Sequence, residues 1–501
     1  MLNLPRYPTV FEINTWVWLS DLKAKFGSSV DLGCVPSAEW DAIAEYGFDA
    51  VWLMGVWQRS PAGIAVANRN ESLLKDFRKA LPDFGPKDNV GSAYCIQRYA
   101  VDRRLGGMEG LALARRELAR RGMRLILDFV PNHVAPDHPW TAEHPEYFIQ
   151  GDASDTAKDP ASFMAQEGKI FAHGRDPYFP AWQDVLQLNA FQPGLRHAVV
   201  ETISSIAGQC DGIRCDMAML MLNQIFERTW GERAGPPPPT DYWRDVIPAV
   251  KLVHPGFLFM AEAYWDLEWE LQQQGFDFCY DKRLYDRLKH DNAESIRLHL
   301  CADLTYQNKL LRFIENHDEP RAAAVFSPAQ ERAAVVVMAT VPGARLFYEG
   351  QIEGRKVRPP VFLGRRSQEP VAKELKAFYI KLLKTIHSPL FCEGRWSLCE
   401  RTGWPDNSSF QNIVAWSWTL GESRCLVAVN LSDKSAQAHV RMPWDDLAGE
   451  NWLLSDALSS ADFERNGNEL QSTGLFVDLA PWSFHFLQCH PARQGLVLRA
   501  A

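Results

Sequence analysis

The feature that most constrains the fold is a regular alternation of short apolar runs with longer segments of helical periodicity. Two of the helical segments, 37–47 and 107–122, end in glycine, which is a common helix stop. Eight apolar runs read as strands: 9–16, 49–56, 123–130, 212–217, 256–263, 276–281, 310–317 and 344–350. Apolar strands that alternate with helices predict parallel strands covered by helices, and eight such units predict an α/β fold of the closed (β/α)8 TIM barrel type.

Two parts of the chain depart from this alternation. Residues 134–190 are rich in Pro, Asp, His and aromatic residues and are too long for a plain loop, so we predict a small inserted domain after the third strand. From residue 389 to 501, short alternating runs such as NIVAWSWTL and SRCLVAVNLS follow one another without helices, which predicts a C-terminal antiparallel β-sandwich. The barrel itself is then expected over residues 1–133 and 191–388.

Charge and composition narrow the class of partner. The net charge of −9 and the absence of a long Lys/Arg run argue against nucleic acid or an anionic membrane, and favour a small polar substrate. No uninterrupted run of about 18 apolar residues occurs, and the N-terminus lacks the features of a signal peptide. The ten cysteines have no metal-like spacing. We therefore expect a cytoplasmic protein with reduced thiols and no membrane partner.

Polar residues interrupt the carboxyl ends of several predicted strands. The fourth strand carries two charges, Arg214 and Asp216, which point to the same side because strand side chains alternate with a period of two. Further polar residues at such ends are Asp128, Asn132, His133, Glu262, His317 and Asp318. In barrel enzymes the carboxyl ends of the strands form the active-site face. Because desolvating so many charges is costly, their convergence indicates a site, although Arg214 and Asp216 alone would also fit a structural ion pair.

These residues lie in motifs that resemble those of the α-amylase family of retaining glycoside hydrolases and transglycosylases. The motifs are DFVPNH (128–133), LQLNAFQP (186–193), GIRCD (212–216), AEAYW (261–265) and FIENHD (313–318). They occur in the family's order, and the resemblance extends over the barrel, the inserted region and the terminal sandwich. It implies that Asp216 is the nucleophile and Glu262 the general acid/base. Asp318 is implied to hold the substrate and stabilise the transition state.

The resemblance also implies residues that bind substrate. His133 and His317 match the pair that hydrogen-bonds sugar hydroxyls, and Tyr94 matches the tyrosine that stacks under the cleaved sugar, although it also fits a packing role. Arg214 is expected to favour the charged form of Asp216. Arg321 either touches the sugar or braces its loop.

The expectations for cofactors come from the same comparison of motifs. Asn132 matches a position that ligates a structural calcium ion in many members, but the other ligands cannot be singled out in the inserted region. No Gly-rich nucleotide fingerprint is present, so no cofactor is expected to be required for the reaction.

The segment after Asp216 departs from the family's starch-degrading members. Those enzymes commonly carry Lys-His where this chain has Met219 and Leu220, and apolar side chains cannot hydrogen-bond a second sugar. We therefore expect a retaining α-glycosidase that acts on malto-oligosaccharides or related short α-glucosides through a covalent glycosyl-enzyme intermediate. The alternative is a transglycosylase or isomerase of maltosyltransferase or trehalose-forming type. A non-catalytic binding subunit is disfavoured because all three carboxylates are present.

Overall fold

Eight parallel strands close into a barrel in the computed structural model, which describes residues 4–492. Each strand pairs with its neighbours in chain order, and the eighth pairs with the first. The barrel strands are Thr9–Asn14, Ala50–Met54, Arg124–Phe129, Gly212–Cys215, Leu258–Ala261, Phe278–Tyr280, Leu310–Arg312 and Ala344–Tyr348. Each lies within one of the eight predicted runs, and the predicted (β/α)8 class is confirmed.

Helices cover the outside of the barrel. In Gly107–Arg120 the buried residues Leu111, Ala114 and Leu118 recur at i, i+3 and i+7, which forms one apolar face toward the strands. The other long helices are Thr15–Phe26, Ser37–Ala44, Glu71–Ala80, Pro193–Ala207, Asn223–Trp230, Tyr242–Val253, Lys282–His290, Ala293–Leu300, Pro328–Thr340 and Lys373–Ile386. Shorter helices are Pro61–Ala67, Trp140–Glu143, Ala153–Lys158, Glu268–Gln273, Leu304–Gln307, Ala322–Val325, Pro389–Glu393 and Gly467–Ser472.

The barrel interior changes from apolar to charged along its axis. Val10 and Ile126 belong to an apolar cluster inside the barrel. Two residues farther along the same strands stand Glu12 and Asp128, which share the inward face because of the strand period of two. Asp128 is paired in register with Arg214 on the neighbouring strand. The charged side chains therefore collect at the carboxyl end of the barrel.

Two insertions between barrel strands, or excursions, form the walls around this end of the barrel. After the second barrel strand, Trp57–Arg59 pairs with Ile96–Val101, and this excursion carries Tyr94. After the third barrel strand, a four-stranded sheet has the order His133–Val134, Trp182–Gln187, Lys169–Gly174, Phe163–Gln166. The second excursion falls where the sequence predicts an inserted unit, whereas the first was not separated from the barrel by sequence reasoning.

The C-terminal part is a β-sandwich, as predicted. Its six-stranded sheet has the order Arg395–Leu398, Ile413–Leu420, Ser423–Asn430, Phe484–Pro491, Asn451–Asp456, Asp462–Asn466. Its three-stranded sheet consists of Glu400–Thr402, Ala436–Arg441 and Leu475–Leu479. Ala415 and Leu426 of the first sheet share one apolar cluster with Ala438 and Val477 of the second. The Trp418 indole donates to the Thr340 carbonyl at 2.7 Å, which ties the sandwich to the barrel.

Within residues 4–492, no helix combines the length and apolarity needed to cross a bilayer. In the same range, the ten cysteines are all unpaired.

A buried ion pair connects the sixth and seventh barrel strands. Asp281 directly follows the sixth strand and Arg312 ends the seventh; both side chains are fully buried and in hydrogen-bond contact. His299 Nε2 lies 3.0 Å from Asp281 Oδ2. Burial lowers the pKa of Arg312 to about 9, so the guanidinium is still charged at neutral pH.

We expect Asp281→Ala to destabilise the fold by about 3–5 kcal/mol, because it leaves the buried Arg312 guanidinium without its counter-charge. The matched control is Asp446→Ala, which removes the partner of Arg424 in a surface pair and should cost about 0–1 kcal/mol. Differential scanning calorimetry of the two variants compares the losses. Equal shifts in melting temperature would contradict the expectation.

Candidate active site

One guanidinium lies at the centre of the site. Arg214 is fully buried at the carboxyl end of the fourth barrel strand. Its Nη1 donates to Asp216 Oδ1 at 2.7 Å, and its Nη2 lies 2.7 Å from Glu262 Oε2. Asp318 Oδ2 and Asp128 Oδ1 lie farther away, each 3.9 Å from a guanidinium nitrogen. The structure thus brings the three predicted catalytic carboxylates around a single fixed positive charge.

The barrel backbone sets the positions of two of these carboxylates. The amide of Asp216 donates to the Phe129 carbonyl at 2.9 Å, and the amide of Glu262 donates to the Cys215 carbonyl at 3.0 Å. The parallel ladder therefore extends one residue beyond each strand. Met217 follows with a φ of 40°, in the left-handed region that side chains other than glycine rarely adopt. This turn aims its amide at Glu262 Oε2, at 2.6 Å.

Burial controls the protonation of Glu262. Desolvation raises the pKa of Glu262 to about 7, with the opposing attraction of Arg214 offset by the charges of Asp216 and Asp318. The Tyr264 hydroxyl lies 2.8 Å from Glu262 Oε1. Because Oε2 already accepts from the Met217 amide and lies 2.7 Å from the Arg214 guanidinium, the proton of the neutral acid belongs on Oε1.

Asp216 and Asp318 experience different surroundings. Burial raises the pKa of Asp216, and the attraction of Arg214 opposes this rise without cancelling it. The Asp318 side chain is 41% exposed, and its Oδ2 lies 2.8 Å from His317 Nε2. Although desolvation raises the pKa of Asp318, the charge of His317 outweighs it and lowers the pKa to about 2. Asp318 is therefore ionised over the whole neutral range.

A cavity of about 340 Å³ opens above the carboxylates. Polar groups gathered at the base of an aromatic-walled cavity suit a small ligand with both polar groups and apolar faces. Five predicted site residues line it: Tyr94, His133, Asp216, Glu262 and Asp318. The wall also includes Trp182, Met217, Tyr264 and Phe362.

The histidines and the tyrosine differ in their contacts. The Tyr94 hydroxyl lies 2.7 Å from His317 Nε2, and the two rings stack with centroids 5.4 Å apart. His133 is buried, with its ring 5.3 Å from that of Trp182. Burial lowers the pKa of His133 to about 4, so its imidazole is neutral at pH 7.

The structure places Arg321 apart from the other predicted sugar-contacting residues. It is fully buried; its Nη1 donates to Glu315 Oε1 at 2.7 Å and to the Glu349 carbonyl at 2.8 Å. Its guanidinium also lies over the Tyr348 ring, 4.1 Å from the centroid. These contacts favour the alternative in which Arg321 braces its loop.

Sequence reasoning missed three residues of the site. Tyr264 stands inside the motif AEAYW, but nothing in the sequence connects its hydroxyl to Glu262. Trp182 comes from the inserted sheet, where the sequence has no strand-end signal. Glu12 contacts His317 from the first barrel strand. The sequence signal that pointed to Arg214, a charged residue within an apolar strand, also applies to Glu12.

A (β/α)8 barrel with paired carboxylates at its carboxyl face has the architecture of a glycoside-processing enzyme. Residues 37–378 match the family model of the alpha-amylase catalytic domain. The chain belongs to the alpha-amylase family, whose members are glycoside hydrolases and transglycosylases.

Two curated relatives and one solved structure illustrate the range of similar proteins. Alpha-amylase MalA of Haloarcula japonica is 25% identical over 331 residues, which cover 64% of this chain and 41% of that protein. An alpha-1,4-glucan:maltose-1-phosphate maltosyltransferase of Bifidobacterium longum is 26% identical over 227 residues, which cover 45% of this chain and 25% of that protein. The chain thus spans less than half of either relative. The noncanonic maltogenic alpha-amylase AmyB of Thermotoga neapolitana superposes with a TM-score of 0.69 at 16% identity, covering 96% of this chain and 98% of AmyB.

The surroundings of Asn132 do not fit a calcium ion. The Gln187 amide nitrogen lies 2.9 Å from Asn132 Oδ1, 2.9 Å from the Asn132 carbonyl and 3.0 Å from the Leu188 carbonyl. All three oxygens face an N–H₂ group that occupies the place a cation would need. Within residues 4–492, no group of three or more His, Cys, Asp or Glu side chains is arranged to hold a metal.

We expect the melting temperature of the native protein to be the same in excess calcium and in a chelator, because Gln187 already satisfies these oxygens. Gln187→Glu replaces the amide nitrogen with oxygen and should make the protein less stable in chelator, with recovery on adding calcium. Gln166→Glu is the matched control, since the Gln166 amide donates to the Pro136 carbonyl at 2.9 Å in the same sheet. It should show no calcium-dependent recovery. Destabilisation of the native protein by the chelator would contradict this interpretation.

Proposed function

We propose that this protein cleaves α-glucosidic bonds of malto-oligosaccharides or related short α-glucosides with retention of anomeric configuration. The observation that carries the proposal is that Asp216 and Glu262 each lie 2.7 Å from nitrogens of the same guanidinium. A single fork that holds both carboxylates favours the separation of about 5–5.5 Å found in retaining enzymes. Inverting enzymes need about 6.5–9.5 Å to admit a water molecule between them.

The site residues divide the reaction between them. Asp216 attacks the anomeric carbon while the bond from that carbon to the leaving oxygen breaks, and Glu262 transfers its proton from Oε1 to that oxygen. In the second step Glu262 takes a proton from the incoming hydroxyl, whose oxygen displaces Asp216. The raised pKa of Glu262, about 7, suits both directions of transfer near neutral pH. Asp318 remains ionised and offers its carboxylate to the sugar hydroxyls and the positive transition state.

Two residues of the cavity wall are assigned to the sugar that is cleaved: His133 presents a ring nitrogen for its hydroxyls, and Tyr94 presents an aromatic face. His317 is fully buried beneath the wall and contacts Asp318, whose carboxylate faces the sugar. The Arg214 guanidinium lies 5.1 Å from the Tyr94 ring centroid, which keeps this ring fixed beside the nucleophile. The proposed substrate is therefore held by residues from two excursions and from the barrel itself.

The leaving-group side favours transfer to a sugar as a second candidate function. Met219 and Leu220 are buried and line neither the cavity above the carboxylates nor the cavity that adjoins it. The adjoining cavity of about 450 Å³ is lined by Met217, Tyr264 and Trp265, with the exposed Phe179 at its edge. Aromatic rings there suit a sugar acceptor, and the similarity to a maltosyltransferase agrees with this alternative. Both reactions share the covalent intermediate and differ in whether water or a sugar hydroxyl receives the glycosyl group.

Incubation with maltotriose and longer malto-oligosaccharides tests the function directly. We expect shorter sugars whose new reducing end first appears as the α-anomer in ¹H NMR, because two displacements restore the configuration. Products longer than the substrate, or a non-reducing disaccharide, would establish the transfer alternative. First appearance of the β-anomer would overturn the retaining mechanism. The Asp216→Asn variant is the blank for contaminating activity.

Two variants separate the roles of the carboxylates. Glu262→Gln should lower kcat/KM on malto-oligosaccharides by about 10²–10⁴-fold but spare the first step on α-glucosyl fluoride, whose leaving group needs no proton. Asp216→Asn should lose activity on both substrates, because no nucleophile remains. Asp478→Asn on the exposed face of the C-terminal sandwich is the control and should match the native protein. Equal losses for the two variants on the fluoride would contradict the assignment.

A further inference from the structure

The reaction described above does not use Glu12, a buried acid close to the site. Glu12 lies on the first barrel strand, fully buried and in register with Trp52 on one side and Tyr348 on the other. Its Oε1 is in close hydrogen-bond contact with His317 Nδ1, and its Oε2 is buried without a hydrogen-bond partner. Among residues 4–492, His317 is the ion-pair partner of Glu12. A carboxylate placed so deep in a barrel needs a physical reason.

We propose that Glu12 is a positioning residue that keeps His317 protonated on both ring nitrogens, so that His317 holds a fixed positive charge against Asp318 at the edge of the sugar site. The proposal rests on the proposed function only for the identity of the ligand that Asp318 meets. Glu12 itself has no access to the cavity and acts through His317.

The two acids on either side of the His317 ring favour a proton on each of its nitrogens. Nδ1 faces the carboxylate of Glu12, and Nε2 lies 2.8 Å from the carboxylate of Asp318. Ionised carboxylates only accept hydrogen bonds, whereas a neutral imidazole has a single N–H. A neutral ring with its proton on Nδ1 accepts from the Tyr94 hydroxyl at 2.7 Å, but its Nε2 lone pair then lies 2.8 Å from the Asp318 carboxylate. The imidazolium form removes this repulsion.

The groups around His317 determine how firmly the charge is held. Burial lowers the pKa of His317, but the charges of Asp318 and Glu12 outweigh this and raise it to about 10. The remaining neighbours are the Tyr94 hydroxyl at 2.7 Å, the edge of the Trp52 ring at 5.5 Å and the charge of Asp128. Neither the phenol nor the indole carries a charge at neutral pH.

The two acids that flank His317 differ in what a bound sugar does to them. Asp318 faces the cavity, so a substrate competes for its oxygens. Glu12 is fully buried, and its contact with Nδ1 persists whether or not the cavity is filled. Glu12 is thus the counter-charge that remains when substrate arrives. The same charge on His317 also holds Asp318 in its ionised form, since His317 is the main cause of the low pKa of Asp318.

The test replaces the charge of Glu12 while keeping its shape. In Glu12→Gln the amide oxygen still accepts from Nδ1, but the negative charge is gone. We expect the pKa of His317 to fall by about 1–3 units, measured from side-chain ¹⁵N shifts of histidine-labelled full-length protein. The His317 signals are assigned by their loss in His317→Asn. In the native protein both nitrogens should stay protonated to above pH 9. Glu12→Asp, which withdraws the carboxylate from Nδ1, should give an intermediate pKa.

Kinetics provide a second readout. In the native protein the alkaline fall of kcat/KM should follow Glu262 near pH 7 with the loss of one proton. In Glu12→Gln it should steepen toward two protons, as His317 also discharges, with kcat/KM at pH 7 about tenfold lower or more. The matched control is Glu331→Gln, another buried acid, which contacts the Tyr379 hydroxyl at 3.1 Å away from the cavity. It should leave both the His317 shifts and the pH profile unchanged.

The outcomes separate this proposal from the proposed function. If His317 in Glu12→Gln keeps both protons over the native pH range, the positioning role is overturned whatever the activity. If the shifts change as expected while the native protein turns over no α-glucoside, Glu12 keeps its role and the substrate class is wrong. Should Glu12→Gln fail to fold, the titration of Glu12→Asp decides: a His317 pKa equal to the native value overturns the proposal.

Discussion

The site depends on the sharing of one buried guanidinium among several carboxylates. Arg214 has no exposure to solvent, and an unpaired charge at such depth would be strongly destabilising. Asp216 and Glu262 each lie 2.7 Å from one of its nitrogens, so the same contacts that stabilise the cation also set the distance between the two acids. Removing the cation would leave neighbouring carboxylates to repel each other in a desolvated cavity. The Arg214 guanidinium therefore both contributes to the stability of the fold and sets the positions of the two acids.

Environment gives the three carboxylates different properties. Glu262 is buried among other negative charges, and its pKa of about 7 places it at the boundary between acid and base. Asp318 is partly exposed beside the charged His317, and its pKa falls to about 2. Asp216 has surroundings of its own, since burial raises its pKa and Arg214 opposes the rise. One type of functional group can thus act as proton donor, anionic support and nucleophile at a single pH.

Rigid and variable parts of the chain contribute separately to the site. Arg214, Asp216 and Glu262 stand on or directly after barrel strands, where the parallel ladder fixes the backbone. Tyr94 and Trp182 come from excursions that leave the barrel after its second and third strands. Differences in the excursions can change the sugar that is accepted without moving the carboxylates. This division agrees with the similarity of the chain to both an alpha-amylase and a maltosyltransferase.

The sequence by itself determined the barrel, because the alternation of apolar strands and helices is local and repeats eight times. It also determined which carboxylates converge, because strand ends of a parallel barrel share one face. Only the tertiary structure decided the partners of each polar atom. Glu12 and His317 are separated by 305 residues, and Gln187 meets Asn132 across 55, so their contacts depend on the closed barrel and the inserted sheet. The role of Arg321 also depends on the tertiary structure. Its place in the sequence is compatible with a contact to the sugar or with a brace for its loop, and only the structure shows Glu315 and Glu349 around it. Charge and periodicity are properties of the sequence itself, whereas burial and hydrogen-bond direction arise only when distant segments pack together.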